Sequence, residues 1–306
     1  MQIRANGIDI AFEDSGPGTG APRPVVLLVM GLGMQLVAWP PAMVQALVDA
    51  GYRVIRHDNR DIGLSQHFDH LGPPNLLWTM VKYKLRAGIR PPYSLADMAQ
   101  DALGLLDALQ VERAHVVGVS MGGMIAQRMA IAAPQRLLSL TSIMSSSGAR
   151  GLPEATPAVR RVLMRSPASP ALEDIVAHYV QLYRTIGSPA YPIPEADMRQ
   201  RIEASIRRSF HPVGTMRQMV AIVADTHHRA QALASVRLPA LVLHGRADPL
   251  VPFACGEDTA RRLHGAELVG IDGMGHDLAP GVVERLVPPM LQFLAANRGS
   301  AKGAGA

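Results

Sequence analysis

Cysteine is almost missing from this chain. Its one representative, Cys255, cannot close an intramolecular disulfide, so the fold must rest on its core and suits a reducing compartment. Aromatic residues are only 4% of the sequence, and lysine is far outnumbered by arginine. The formal net charge is +5, with acidic residues interspersed among the basic ones. A dense basic stripe with interleaved aromatics is lacking, which argues against a nucleic-acid partner. No apolar run approaches the roughly 18 residues of a membrane span. The opening MQIRANGIDIAF alternates polar and apolar like a strand, without the basic start and unbroken apolar run of a signal peptide. What is present is apolar mass: 48% of 306 residues are hydrophobic, enough to bury a large core. The chain reads as a soluble cytoplasmic globular protein, and its composition says nothing of oligomeric state.

Strands and helices alternate along it. IDIAFED (8–14) reads as an edge strand, followed by the turn-rich connector GPGTGAPRP. VVLLVM (25–30) is a continuous apolar run, as in a strand buried on both faces. Helix PPAMVQALVDAG (40–51) precedes strand YRVIRHD (52–58), and SLADMAQDALGLLDALQ (94–110) is an amphipathic helix opened by a capping serine. Strand AHVVGV (114–119), helix MGGMIAQRMAIAAP (121–134) and strand LLSLTSIMSSS (137–147) follow. This is an α/β pattern: a mostly parallel sheet with helices on both faces. Between about Gly148 and Val236 the rhythm gives way to Pro-punctuated helical text, too long for a simple loop. The expected organisation is a core of residues 1–147 and 237–298, a helical lid of 148–236 inserted after the sixth strand, and a disordered tail of 299–306.

Chemistry-bearing residues follow three strands. Ser120 lies in Gly118-Val119-Ser120-Met121-Gly122, a Gly-x-Ser-x-Gly elbow between a strand and a helix. A serine hydroxyl is a weak nucleophile and needs a base held by an acid. Asp248 follows strand LVLHG, and His276 follows the last strand in DGMGHDLAP. The order Ser, Asp, His is that of an α/β-hydrolase triad. Asp272 and Asp277 are too close in sequence to His276 to approach its Nδ1 easily, and Asp225 lies in the lid. The run Gly31-Leu32-Gly33 after the first buried strand poses a choice between a dinucleotide-binding turn and an oxyanion loop. The former needs a third glycine where Leu36 stands. The latter needs two backbone N–H groups aimed at a developing negative charge, which Leu32 and Met121 supply. His227 and His228 lack companions at ligand spacing, so no metal is expected, and no cofactor.

The segments VMGLGMQLVAWP, RVIRHDNRDIGLS, AHVVGVSMGG, HGRADPLVP and GMGHDL together resemble the α/β-hydrolase superfamily, and within it the branch of serine esterases that includes aclacinomycin methylesterases. The resemblance covers almost all of the chain outside the lid. One departure is Met30-Gly31, where many relatives carry His-Gly. A serine at the elbow excludes the dehalogenases and epoxide hydrolases of this fold, which use aspartate there. The resemblance implies a carboxylic-ester hydrolase acting on a small-molecule ester. Lactonases, C–C bond hydrolases and cofactor-free perhydrolases share the same triad, and a ligand receptor on a hydrolase fold is a rival of another class. Met30, Gly31, Gly33, Met34 and Met144 are candidate substrate contacts from the core, with Tyr183, Met216 and Met219 from the lid.

Overall fold

The computed structural model describes residues 1–16, 18, 23–225 and 228–298; the tail 299–306 and His227 lie outside these. The chain opens with a hairpin. Strands β1 (Gln2–Ala5) and β2 (Ile8–Asp14) pair antiparallel with Ala5 opposite Ile8, leaving Asn6 and Gly7 as a two-residue turn. Both have positive φ, 49° and 77°, as a turn matching the right-handed twist of its strands requires. The segment 8–14 is therefore not the sheet edge. β1 covers its outer side, because Asn-Gly folds the first four residues back on it.

Strand β3 (Val25–Val29) follows, then α1 (Pro41–Asp49), β4 (Arg53–His57), α2 (Leu76–Lys84) and α3 (Leu95–Ala108). Ser94 caps α3 in a reciprocal box with Asp97. Next come β5 (Ala114–Val119), α4 (Met121–Ala132) and β6 (Leu137–Ile143). Five helices then intervene: α5 (Pro157–Leu163), α6 (Leu172–Ile186), α7 (Glu195–Arg208), α8 (Pro212–Asp225) and α9 (His228–Ala232). The chain closes with β7 (Ala240–Gly245), α10 (Phe253–Arg262), β8 (Glu267–Ile271) and α11 (Pro280–Ala296).

The eight strands form one sheet in the order β1-β2-β4-β3-β5-β6-β7-β8, parallel from β4 to β8. Both faces are covered. Alternate residues of β3 show this directly: Val25, Leu27 and Val29 join one apolar cluster with α3 and α4, while Val26 and Leu28 join another with α1 and α11. A third, smaller cluster lies within the inserted helices, where Val176 and Val180 of α6 meet Met198 and Ile202 of α7. The parallel strands all end on one edge, which is where a crevice forms and ligands bind in such sheets.

Candidate active site

The turn after β5 is forced by close packing. A Cβ at Gly118 would meet the Gly122 carbonyl oxygen at 2.2 Å, and one at Gly122 would meet the Val29 oxygen at 2.0 Å. Only glycine at both positions lets β5 turn straight into α4. Ser120 between them takes φ 54° and ψ −118°, a conformation that costs a non-glycine residue on the order of 1–3 kcal/mol. Its backbone is held from both sides: its N–H donates to the Ile143 oxygen at 2.9 Å, and its own oxygen accepts from the Ser145 hydroxyl at 2.7 Å.

The other two chemistry-bearing residues reach Ser120 from the ends of β7 and β8. His276 Nε2 is 3.0 Å from Ser120 Oγ, and His276 Nδ1 is 2.7 Å from Asp248 Oδ2. The second Asp248 oxygen accepts from the N–H groups of Leu250 and Val251, at 2.9 and 2.8 Å. That carboxylate thus presents one oxygen to the ring with the other fixed by backbone. Because an ionised carboxylate only accepts, Nδ1 carries the proton and Nε2 is free to accept from the serine hydroxyl. Asp248 and His276 are both buried, which limits the solvent screening of this pair.

Neighbouring acids are occupied elsewhere. Asp272 is exposed and pairs with Arg246 at 3.1 Å. Asp277 binds the inserted helices instead: its carboxylate accepts from the Ser188 hydroxyl at 2.6 Å and the Ser188 N–H at 3.0 Å. Ser188 in turn accepts from the Gly275 N–H at 2.8 Å, and the His276 N–H donates to the Ile186 oxygen at 2.7 Å. The C-terminal end of α6 therefore clamps the loop that carries the histidine. Asp225 joins Arg128 of α4 to Arg229 of α9.

The Gly31–Met34 turn lies against the elbow. A Cβ built on Gly31 would stand 3.3 Å from the Ser120 Cβ, and Gly33 has φ 67°. Met121 opens α4, so its N–H has no partner within the helix. The Leu32 N–H likewise donates to no described residue. Two residues that the linear text did not mark hold this turn, and a third fixes the helix that carries one of them. Asn59 Nδ2 donates to the Met30 oxygen at 2.9 Å, and Gln218 Oε1 accepts from the Gly33 N–H at 3.0 Å. Gln218 is fully buried, and its Nε2 donates to the Arg60 oxygen at 2.9 Å. The third is Arg217, whose buried guanidinium makes two bonds to Asp61, at 2.6 and 2.8 Å, and so fixes α8 on the core. Burial pushes the Asp61 proton affinity up, but bonds from Arg217, the Phe68 N–H and Tyr93 outweigh it and hold the carboxyl below its usual range.

A small recess of about 70 Å³ adjoins this turn. Gly33, Met34 and Tyr183 line it, as do Tyr179, Ile206 and Phe210. Burial of Tyr183, with Tyr179 close by, pushes its phenol up to about 12, so the hydroxyl stays a proton donor at neutral pH. The recess wall does not include Ser120, Asp248 or His276. Met30 and Met144 are buried in the core cluster that includes α1 and α11, and Met216 and Met219 are half-buried on α8 outside the recess lining. Met216 and Met219 stand one turn past Pro212 and Thr215, the α8 residues that line the recess, and so continue that stripe beyond the lining.

Among the described residues, His67, Asp69 and His211 bring metal-ligand atoms within 4.8 Å of one another. A cation is already there. The Arg217 guanidinium lies 3.1 Å from His211 Nε2 and 3.4 Å from Asp69, so a metal ion would face a buried positive charge. His228 merely opens the five-residue helix α9.

The described helices include none long and apolar enough to cross a membrane. Residues 24–279 match the family model for the alpha/beta hydrolase fold. The chain is 30% identical over 300 residues to rhodomycin D methylesterase DauP from Streptomyces sp. (strain C5), covering 91% of this chain and 93% of the relative. It is 26% identical over 291 residues to the 2-hydroxy-6-oxononadienedioate/2-hydroxy-6-oxononatrienedioate hydrolase of Burkholderia vietnamiensis (strain G4 / LMG 22486), covering 93% and 90%. Among solved structures it resembles a variant of the meta-cleavage product hydrolase CumD from Pseudomonas fluorescens IP01, with TM-score 0.73 and 20% identity over 97% of each chain. A parallel sheet with a serine elbow at its carboxyl edge, a match to the family model over most of the length and relatives that are hydrolases lead to one conclusion: this chain belongs to the α/β-hydrolase fold family.

Proposed function

We propose that this protein is a serine hydrolase that cleaves a carboxylic ester through an acyl-enzyme. The observation that carries this reading is the hydrogen-bonded row from Ser120 through His276 to Asp248, beside two unengaged backbone N–H groups. In the proposed reaction, Ser120 Oγ attacks the ester carbonyl carbon as His276 Nε2 takes its proton. The carbonyl oxygen becomes negative and is met by the N–H groups of Leu32 and Met121, the second helped by the N-terminus of α4. Collapse of the tetrahedral intermediate expels the alcohol, which receives the proton from His276. A water molecule then repeats the sequence on the acyl-enzyme, and Asp248 steadies the imidazolium in both halves. Each step uses side chains and backbone N–H groups of this chain, and water.

Residues 148–236 act in this reading as a lid. Their α6–α7 pair forms the outer wall of the recess beside the Gly31–Met34 turn, and Tyr183, Met34 and Gly33 are the substrate contacts favoured there. Those walls suit an apolar acyl or alcohol group of a small to medium ester. An ester is preferred over a C–C bond because the relative at 30% identity is named as a methylesterase.

The test is a fluorophosphonate that labels serine nucleophiles. Labelling at Ser120, with loss of p-nitrophenyl butyrate turnover in step, is the expected result. Ser120→Ala should lower kcat by about 10⁵–10⁶-fold without lowering the melting temperature. Comparable turnover in pure Ser120→Ala protein would sink the assignment. Bulky methyl esters, lactones and vinylogous 1,5-diketones, tested side by side, separate ester cleavage from its rivals on the same triad.

A further inference from the structure

Helix α2 carries its apolar side chains outward. Leu77 is 79% exposed, Leu85 72%, Trp78 55% and Met80 43%. Spacings of four, seven and eight residues put Val81, Lys84 and Leu85 on the stripe of Leu77, with Trp78 and Met80 flanking it. The inner side holds buried Thr79 and packs on α8. A cluster of this kind is unusual on a water-facing surface and marks an interaction site.

Its charge is one-sided. No Asp or Glu occurs from residue 70 to residue 96, while Lys82, Lys84, Arg86 and Arg90 all do. Only three lysines occur in the chain, and two of them are on this helix. Lys82 Nζ sits 5.7 Å over the Trp78 ring. Arg86 takes a left-handed φ of 56° just past the helix end, where glycine is the usual residue. An indole and leucines bordered by long cationic side chains that reach past them are what a lipid headgroup region accepts.

We propose that α2 and the turn after it dock this protein on the surface of an anionic bilayer. Leu77, Trp78, Met80 and Leu85 insert among the headgroups, and Lys82, Lys84, Arg86 and Arg90 lie over lipid phosphates. A second copy of the chain is a poorer occupant. Two-fold pairing would set four cations against four, with no acidic residue in the segment to separate them. An anionic lipid surface supplies the missing charge. The placement has a consequence for substrate supply. α2 belongs to the connection after β4, whose carboxyl end lies on the same sheet edge as Ser120. Docking there brings that edge toward molecules dissolved in lipid. Binding itself does not depend on the hydrolase reading, so the experiment reads binding and not turnover.

The experiment is cosedimentation of the full chain with vesicles of phosphatidylcholine alone or with about 30 mol% phosphatidylglycerol. Sedimentation with the anionic vesicles, weakened on raising salt from about 0.05 to 0.5 M, is the expected outcome. Tryptophan emission should shift to the blue on binding; Trp39 is already fully buried, so the shift reports Trp78. Leu77→Glu/Leu85→Glu should weaken binding by at least about 10-fold, and Lys82→Glu/Lys84→Glu should do the same for anionic vesicles. Both variants should keep wild-type circular dichroism and hydrolysis of a water-soluble ester. Failure of the wild type to bind anionic vesicles overturns the proposal, as does equal binding by the glutamate variants. A concentration-dependent dimer in light scattering that Leu77→Glu dissolves also overturns it, in favour of self-association.

Discussion

The helices inserted between β6 and β7 are held in two different ways. α6 and α7 pack on each other through Val176, Val180, Met198 and Ile202, and their outer ion pairs, such as Arg199 with Glu173, are largely exposed. They meet the core near their ends, where Ser188 binds Asp277 and Arg208 binds Asp58. Apart from that one tie of α7 to buried Asp58, it is α8 and α9 that are fixed by buried charge. The side chains of Arg217 and Asp61 are wholly shielded from solvent, and Asp225 sits between Arg128 and Arg229. Apolar contact is not directional, so a pair like α6–α7 tolerates a change of shape. A buried guanidinium–carboxylate pair demands one geometry, and losing one partner leaves the other charged and dry. The recess wall thus includes the tolerant pair. The residue that holds the Gly31–Met34 turn, Gln218, is on the fixed one.

The contrast is broken most severely at Arg217. Arg217→Met should cost about 3–5 kcal/mol in urea unfolding, because Asp61 is left buried without its main cation. If Arg199→Met costs as much, the two halves are not held differently. Next is Gln218→Ala, which removes the acceptor for the Gly33 N–H. With the turn loosened, kcat should fall about 10-fold while KM barely moves. Affinity for a trifluoromethyl ketone, whose adduct places an oxyanion in the same spot, should fall in parallel. A rise in KM alone would make Gln218 a part of the pocket and not a support for the turn.

Ile206 sharpens the tolerant side. Ile206→Ala enlarges the recess, and the ratio of kcat/KM for a bulky over a small ester should change several-fold, on the scale of about 0.8 kcal/mol per buried methylene. A uniform drop across the series would place Ile206 in the helices' own core. The smallest effect belongs to the exposed pair. Arg199→Ala should change stability by less than about 1 kcal/mol, with turnover unaltered.

Much of the fold was readable because neighbours in sequence carry it. Val25 to Val29 is an unbroken apolar run because both faces of its strand are buried, and Ser94 with Asp97 marks a helix start through a local box. The sheet edge is β1 and not residues 8–14, and the local signal for it is Asn6-Gly7, a hairpin turn. Helix α2 is not legible in the sequence because its apolar residues face outward, so its pattern does not show a core-facing stripe. Gln218, Asn59 and Ser188 were invisible for a different cause. Gln218 meets Gly33 across 185 positions of chain, and nothing near either residue announces the other.

By itself, the sequence determined the alternation of strand and helix, the glycines that make the turn at Ser120 possible, and the order of Ser120, Asp248 and His276. These are legible because backbone sterics and the burial of alternate side chains act over a few residues. Only the tertiary structure decided that His276 stands between Ser120 and Asp248, and that Asp277 serves the clamp at α6. It also decided that Met216 and Met219 stay outside the recess lining while Gln218 reaches the Gly31–Met34 turn. Each of these depends on how a helix is rotated or where a loop is tied, and that is set by buried hydrogen bonds and ion pairs between distant segments. Such partners are chosen by geometry in three dimensions, because a buried polar group must find one wherever the fold puts it within reach.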